Sequence, residues 1–126
     1  MKIRVLNHDN DKIYFSTVCG EGFGLWKDKE KPLEKDYSVE FLVNKPISSH
    51  QIKLSEEKIP RIQKINDGML FVGKVIFYNE EYKNITMDME DGYIDFAVND
   101  DINVNEIYGK YVEIFVENVG IYDEGY

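Results

Sequence analysis

Apolar residues recur at every second position through most of this chain, and that period commits it to strands, because successive side chains of a strand leave opposite faces of the sheet. Ile3 and Val5 open the pattern. Ile13, Phe15, Thr17 and Cys19 share one face of a second segment, and Tyr37, Val39, Phe41 and Val43 alternate with Ser38, Glu40 and Asn44. Leu70 to Tyr78 is a longer apolar run in which Gly73 marks a bulge or a close backbone approach. Ile85, Met87 and Met89 then oppose Thr86, Asp88 and Glu90, as in a half-buried antiparallel sheet. Asp91-Gly92 reads as a two-residue hairpin turn leading into Ile94, Phe96 and Val98. Val112, Ile114 and Val116 form a later strand that Val119 and Ile121 finish. The expected fold is all-β or β-dominated α+β: a small antiparallel barrel or sandwich of about seven to nine strands. An OB-like barrel is compatible with the elements over 69–122.

One segment breaks the period. Ser55 can cap a helix whose first turn holds Glu56 and Glu57, and Ile59, Ile62 and Ile65 follow at a spacing of three, predicting one short helix near residues 55–66. Pro60 shortens or distorts it, and an extended linker is the alternative. Residues 27–36, rich in Lys, Asp and Glu around Pro32, read as an exposed loop, and Gly20, Gly22 and Gly24 as a flexible bend before Trp26. The chain of 126 residues fits a single β-rich domain. Two similar β halves, 1–50 and 67–126, are a further possibility, because Ile13, Gly20, Tyr37 and Phe41 find counterparts in Ile85, Gly92, Tyr111 and Phe115. Residues this common in strands also match by chance.

Charge is divided unevenly along the chain. Residues 67–126 hold fourteen Asp and Glu against three lysines, a net of −11, whereas residues 1–66 hold twelve Lys and Arg against ten acids, a net of +2; together they give the overall −9. A field of one sign repels nucleic acid and attracts cationic surfaces, so nucleic acid is not expected on the acidic half. Nine Tyr, seven Phe and one Trp supply the aromatic mass of a folded chain and not of an acidic tail. The start has no signal-peptide core and no apolar run approaches the roughly 20 residues of a membrane span, so a soluble cytoplasmic protein is expected, with no membrane partner. The single cysteine, Cys19, fits a reducing compartment and excludes an internal disulfide. The sequon at Asn84 is then ordinary strand sequence.

No pattern of catalytic or cofactor residues stands out, and neither an enzyme nor a bound cofactor or metal is expected. His8 and His50 lie in polar loops without a carboxylate or cysteine at ligand spacing. Cys19 fits a small core residue better than a nucleophile. The Gly20 to Gly24 run lacks the Lys-Ser/Thr of a phosphate loop, and Glu21 would repel phosphate. Asp88, Glu90, Asp91 and Asp95 invite a calcium reading, but the glycine comes one position early for an EF-hand and Asn99 stands where its bidentate Glu belongs.

What remains is surface. If the strands of the second half bury their aliphatic residues, then Asp88, Glu90, Tyr93, Asp95, Tyr111, Glu113, Phe115 and Glu117 project outward, an acidic and aromatic surface suited to a basic protein partner. That points to a small acidic binding protein, of the inhibitor or immunity-protein kind. Outward carboxylates also serve solubility and keep sheet edges apart. A second expectation comes from Tyr14, Phe23 and Trp26, read as exposed aromatics able to bind single-stranded nucleic acid or an oligosaccharide. A structural subunit of an assembly is a third.

Overall fold

Among the described residues alternation is realised as eleven strands, more than the number read from the sequence because several are only three to five residues long. The computed structural model describes residues 1–124. Strands β1 (Lys2–Asp9), β2 (Lys12–Thr17) and β3 (Gly20–Trp26) form an antiparallel meander, and β4 (Asp36–Leu42) returns to pair with β1. The chain then leaves this layer. It makes a 3₁₀ turn (Ser49–Gln51), β5 (Ile52–Leu54), β6 (Arg61–Ile65), β7 (Gly68–Asn79), β8 (Asn84–Asp88), β9 (Tyr93–Ala97), a one-turn helix α1 (Val104–Ile107) and β10 (Tyr111–Val116). Strand β11 (Gly120–Asp123) goes back to the first layer, parallel to β3 and antiparallel to β4, and closes a barrel of order β1-β2-β3-β11-β4. The closed barrel is therefore built from the N-terminal strands and β11, not from 69–122.

The intervening strands form an open sheet of order β5-β10-β7-β8-β9. The long β7 pairs with β10 along one edge; on the other it pairs first with β6 and then, after Gly73, with β8. Sheet and barrel share one core. Phe15 inside the barrel lies 5.5 Å from Phe41, Phe41 lies 6.2 Å from Phe71 of the sheet, and Phe71 lies 5.8 Å from Phe96, all centroid to centroid. Backbone hydrogen bonds from the Ile62 N–H to the Cys19 carbonyl (2.9 Å) and from the Ile47 N–H to the Ala97 carbonyl (2.8 Å) tie the layers at two places.

Residues 55–66 are not helical. Pro60 brings no backbone donor and biases its neighbour toward extended geometry, and the chain enters β6 directly after it. Ile62 is buried while Ile59 is 69% exposed, so the three isoleucines never form one apolar stripe. Asn66, at φ 52°, turns β6 into β7, a left-handed position that asparagine tolerates. The helical turns lie elsewhere, at Ser49–Gln51 and at α1, where the Asn103 side chain accepts from the Asn105 N–H.

Two turn readings are also corrected. Between β8 and β9 the left-handed residue is Glu90, at φ 78°, and the Met89 N–H donates to the Gly92 carbonyl, so the turn is longer than Asp91-Gly92 alone. The Gly20 to Gly24 run is not a bend but the body of β3. A Cβ on Gly24 would stand 2.7 Å from Ile121 Cδ1 and 2.8 Å from the Val119 carbonyl, so the missing side chain is what lets β11 lie against β3.

Candidate functional site

On the outer face of β2 and β3, strand alternation brings Tyr14 and Phe23 directly opposite each other, with ring centroids 6.2 Å apart and planes tilted by 44°. Lys12, one step along the same face from Tyr14, places its Nζ 4.5 Å from the Phe23 centroid and 5.3 Å from that of Tyr14. Lys64 comes across from β6 and holds its Nζ 5.7 Å from the Tyr14 ring. Both rings are half-buried, and the lysine ammoniums stand over their faces. The lysines were not singled out in the sequence, although Lys12 sits at the i−2 position that any strand puts beside Tyr14.

Trp26 does not join this pair. It is buried, its ring meets Tyr37 edge-on at 5.0 Å, and its Nε1–H donates to the Glu30 carbonyl at 2.6 Å. The alternation of β3 that turns Phe23 and Leu25 outward turns Trp26 inward, where its indole N–H ties down the exposed charged loop that follows β3.

Beside Phe23 the surface falls into a hollow of about 190 Å³, which Lys12, Leu25, Asp67, Glu117 and Asn118 help to line. Leu25, Glu117 and Asn118 also line a larger cleft of about 580 Å³ that extends past Val43, Lys45, His50 and Phe115. This cleft lies where the chain passes from barrel to sheet and back, between the segment after β4 and the segment after β10. Its wall is pinned: the Ser48 N–H donates to Gln51 Oε1 (2.9 Å), and Gln51 Nε2 donates to the Phe115 carbonyl (3.1 Å). Groove charges balance, since Lys12 and Lys45 line it together with Asp67 and Glu117. Its size suits a small-molecule or oligomer site, which spans about 300–1,000 Å³.

The acidic and aromatic set divides. Asp88, Tyr93, Asp95, Tyr111, Glu113 and Phe115 share the outward face of the open sheet; Glu90 lies in the β8–β9 turn, and Glu117 follows β10 at the groove. Register sets Tyr111, Lys74, Asp88 and Tyr93 in one row across four strands. Glu113 lies opposite both Lys53 and Val72, and Val72 lies opposite Arg61. The −11 of residues 67–126 is thus diluted on this face, because β5 and β6 carry Lys53 and Arg61 onto it.

The histidines His8 and His50 are exposed. Cys19 is buried, and its Sγ–H donates to the Met89 carbonyl at 3.1 Å. Burial first, and then the carboxylates of Asp91, Glu90 and Asp88, push the thiol from 9.0 up to about 11. A raised folded value means that the native state keeps a proton that the unfolded chain releases, so this contribution is full below pH 9 and is lost as pH rises toward 11. Native protein should resist iodoacetamide at pH 8, and labelling should appear only with unfolding. Rapid labelling of the folded chain, followed by mass spectrometry, would show this environment to be wrong. Among the described residues no group of three or more His, Cys, Asp or Glu is arranged to hold a metal ion, and no helix is long and apolar enough to cross a membrane.

No family model, no curated protein and no solved structure matches this chain.

Proposed function

We propose that this protein is an OB-type binding module that takes a neutral oligosaccharide across the outer face of β2 and β3. The observation that carries this reading is the Tyr14–Phe23 pair on that face, opening into a charge-balanced groove. The closed five-strand barrel of order β1-β2-β3-β11-β4, with β3 parallel to β11 and a sheet inserted between β4 and β11, supports the OB-type reading. Barrels of that type carry oligonucleotides and oligosaccharides on the face of their second and third strands.

Charge selects between those two ligand classes. Lys12 and Lys64 favour an anion at the ring pair itself, but a polyanion must approach a chain of net −9 and run along a hollow lined by Asp67 and Glu117, a barrier that a neutral sugar does not meet. Sugar hydroxyls need donors and acceptors together, and ammonium, carboxylate and amide groups supply both in this groove. The apolar C–H faces of pyranose rings pack on aromatic rings, as Tyr14 and Phe23 do once the Lys12 and Lys64 side chains swing from over them to meet the hydroxyls.

The test is binding of neutral hexasaccharides (maltohexaose, cellohexaose and chitohexaose) and of a thymidine octamer, by calorimetry at low and high salt. One of the sugars should bind with an affinity indifferent to salt. Tyr14→Ala should weaken it by about tenfold, the equivalent of roughly 1.4 kcal/mol of lost burial and stacking. Binding of the octamer alone, falling steeply with salt, would assign the face to nucleic acid instead.

The open sheet supports a second reading, contact with a basic protein partner. Tyr93 is 65% exposed and Phe77 54% exposed beside Asp88 and Asp95, and aromatics among charges make effective contact surfaces. Lys53, Arg61 and Lys74 weaken its field, so it stands second.

A further inference from the structure

Resting on the oligosaccharide reading, we infer that the ligand does not end on the Tyr14–Phe23 pair but continues past Leu25 into the cleft beside Phe115, which holds its terminal sugar. Three observations converge on this path. Lys12 and Phe23 belong both to the aromatic pair's surroundings and to the smaller hollow, so pair and hollow are continuous. Leu25, Glu117 and Asn118 line hollow and cleft alike, so those two are continuous as well. Beyond them, the half-buried Phe115 provides a second aromatic surface in a wall where its backbone carbonyl accepts the Gln51 side chain. A chain molecule stacked on one aromatic site and running toward another must cross Leu25, which lies opposite Lys12 and is 39% exposed.

The path also orders the chemistry along the ligand. At the pair, Lys12 and Lys64 donate to hydroxyls; in the hollow, Asp67 and Glu117 accept from them; in the cleft, Lys45 and His50 line the space around the last ring. A sugar with an uncharged terminal ring suits the apolar lining of Leu25, Val43 and Phe115.

The experiment is a chain-length series, from disaccharide to octasaccharide of whichever sugar binds, measured with wild type, Phe115→Ala and Leu25→Arg. Wild type should gain affinity stepwise until the chain is long enough to reach the cleft, and then stop gaining. Phe115→Ala should remove roughly tenfold from the long-chain affinity, the effect of one lost aromatic contact. Leu25→Arg keeps a strand residue with an exposed side chain and obstructs the passage without touching the core, so it should abolish the length-dependent gain even if Phe115→Ala proves unstable. Wild-type affinity that is flat from the shortest chain that binds, or a length gain preserved in both variants, overturns the extended path while leaving the Tyr14–Phe23 site in place. Absence of binding to sugars of every length, with Tyr14→Ala indistinguishable from wild type, overturns the underlying reading itself.

Discussion

Phe71→Ala should lower the unfolding free energy by about 3–5 kcal/mol, a large fraction of what holds a domain of this size together. Phe71 is fully buried and is the ring through which the barrel's Phe41 reaches the sheet's Phe96. Removing it leaves a cavity at the junction of the two layers, where neither can collapse without moving the other. The loss should therefore appear in the whole molecule. Urea unfolding followed by emission of the single tryptophan, Trp26, reports the barrel, and far-UV circular dichroism reports all strands. The account predicts one coincident transition at a lower midpoint. A Trp26 transition that keeps its wild-type midpoint while the dichroism signal falls early would mean that barrel and sheet fold independently.

Gly20→Ala should be the most damaging Gly→Ala change among the described residues. Gly20 sits at φ 134°, a conformation that costs an L-residue about 1–3 kcal/mol. A Cβ there would also lie far inside contact distance of the Ile62 carbonyl oxygen, which is backbone and cannot rotate away. Moving β6 to relieve it stretches the bond from the Ile62 N–H to the Cys19 carbonyl, worth about 0.5–1.5 kcal/mol. The sum is a loss of about 1.5–4.5 kcal/mol. Gly109→Ala is the control: φ is 77° but nothing lies within 4 Å, so only backbone strain of about 1–2 kcal/mol remains. Equal losses in the two variants, measured by urea unfolding, would show that β6 is not packed on the β2–β3 turn.

These two sites show why some of the structure was legible in the sequence and some was not. Strand period depends on a residue and its near neighbours, so Ile85, Met87 and Met89 declared their burial directly. Strand partners depend on distant residues. Val119 and Ile121 could face any core; that β11 closes the barrel beside β3 follows from the space left by Gly24, whose role appears only once the two strands touch. The three isoleucines after Ser55 have the spacing of a helical stripe, but spacing alone does not bury a residue: Ile62 enters the core while Ile59 stays exposed.

The site was partly legible for the same reason. Alternation placed Asp88, Tyr93, Asp95, Tyr111, Glu113 and Phe115 on one outward face without any knowledge of the fold. It could not show that Lys53 and Arg61 are carried onto that face by β5 and β6, so a charge divided along the chain is mixed in space. Tyr14 and Phe23 were legible as aromatics, but Lys64 joins them only through the packing of β6 on β3, and the groove beyond exists only because the chain leaves the barrel after β4 and re-enters it before β11.

Whether ligand meets the outer face of β2 and β3 is decided by titrating isotope-labelled protein with the neutral hexasaccharides and following backbone amide shifts. Movement is expected at residues 12–16 and 21–25 and at 115–118, with the amides of Asp88 and Asp95 unmoved. Silence at Tyr14 and Phe23 with every sugar, or shifts confined to the outward face of β8 and β9, would contradict it.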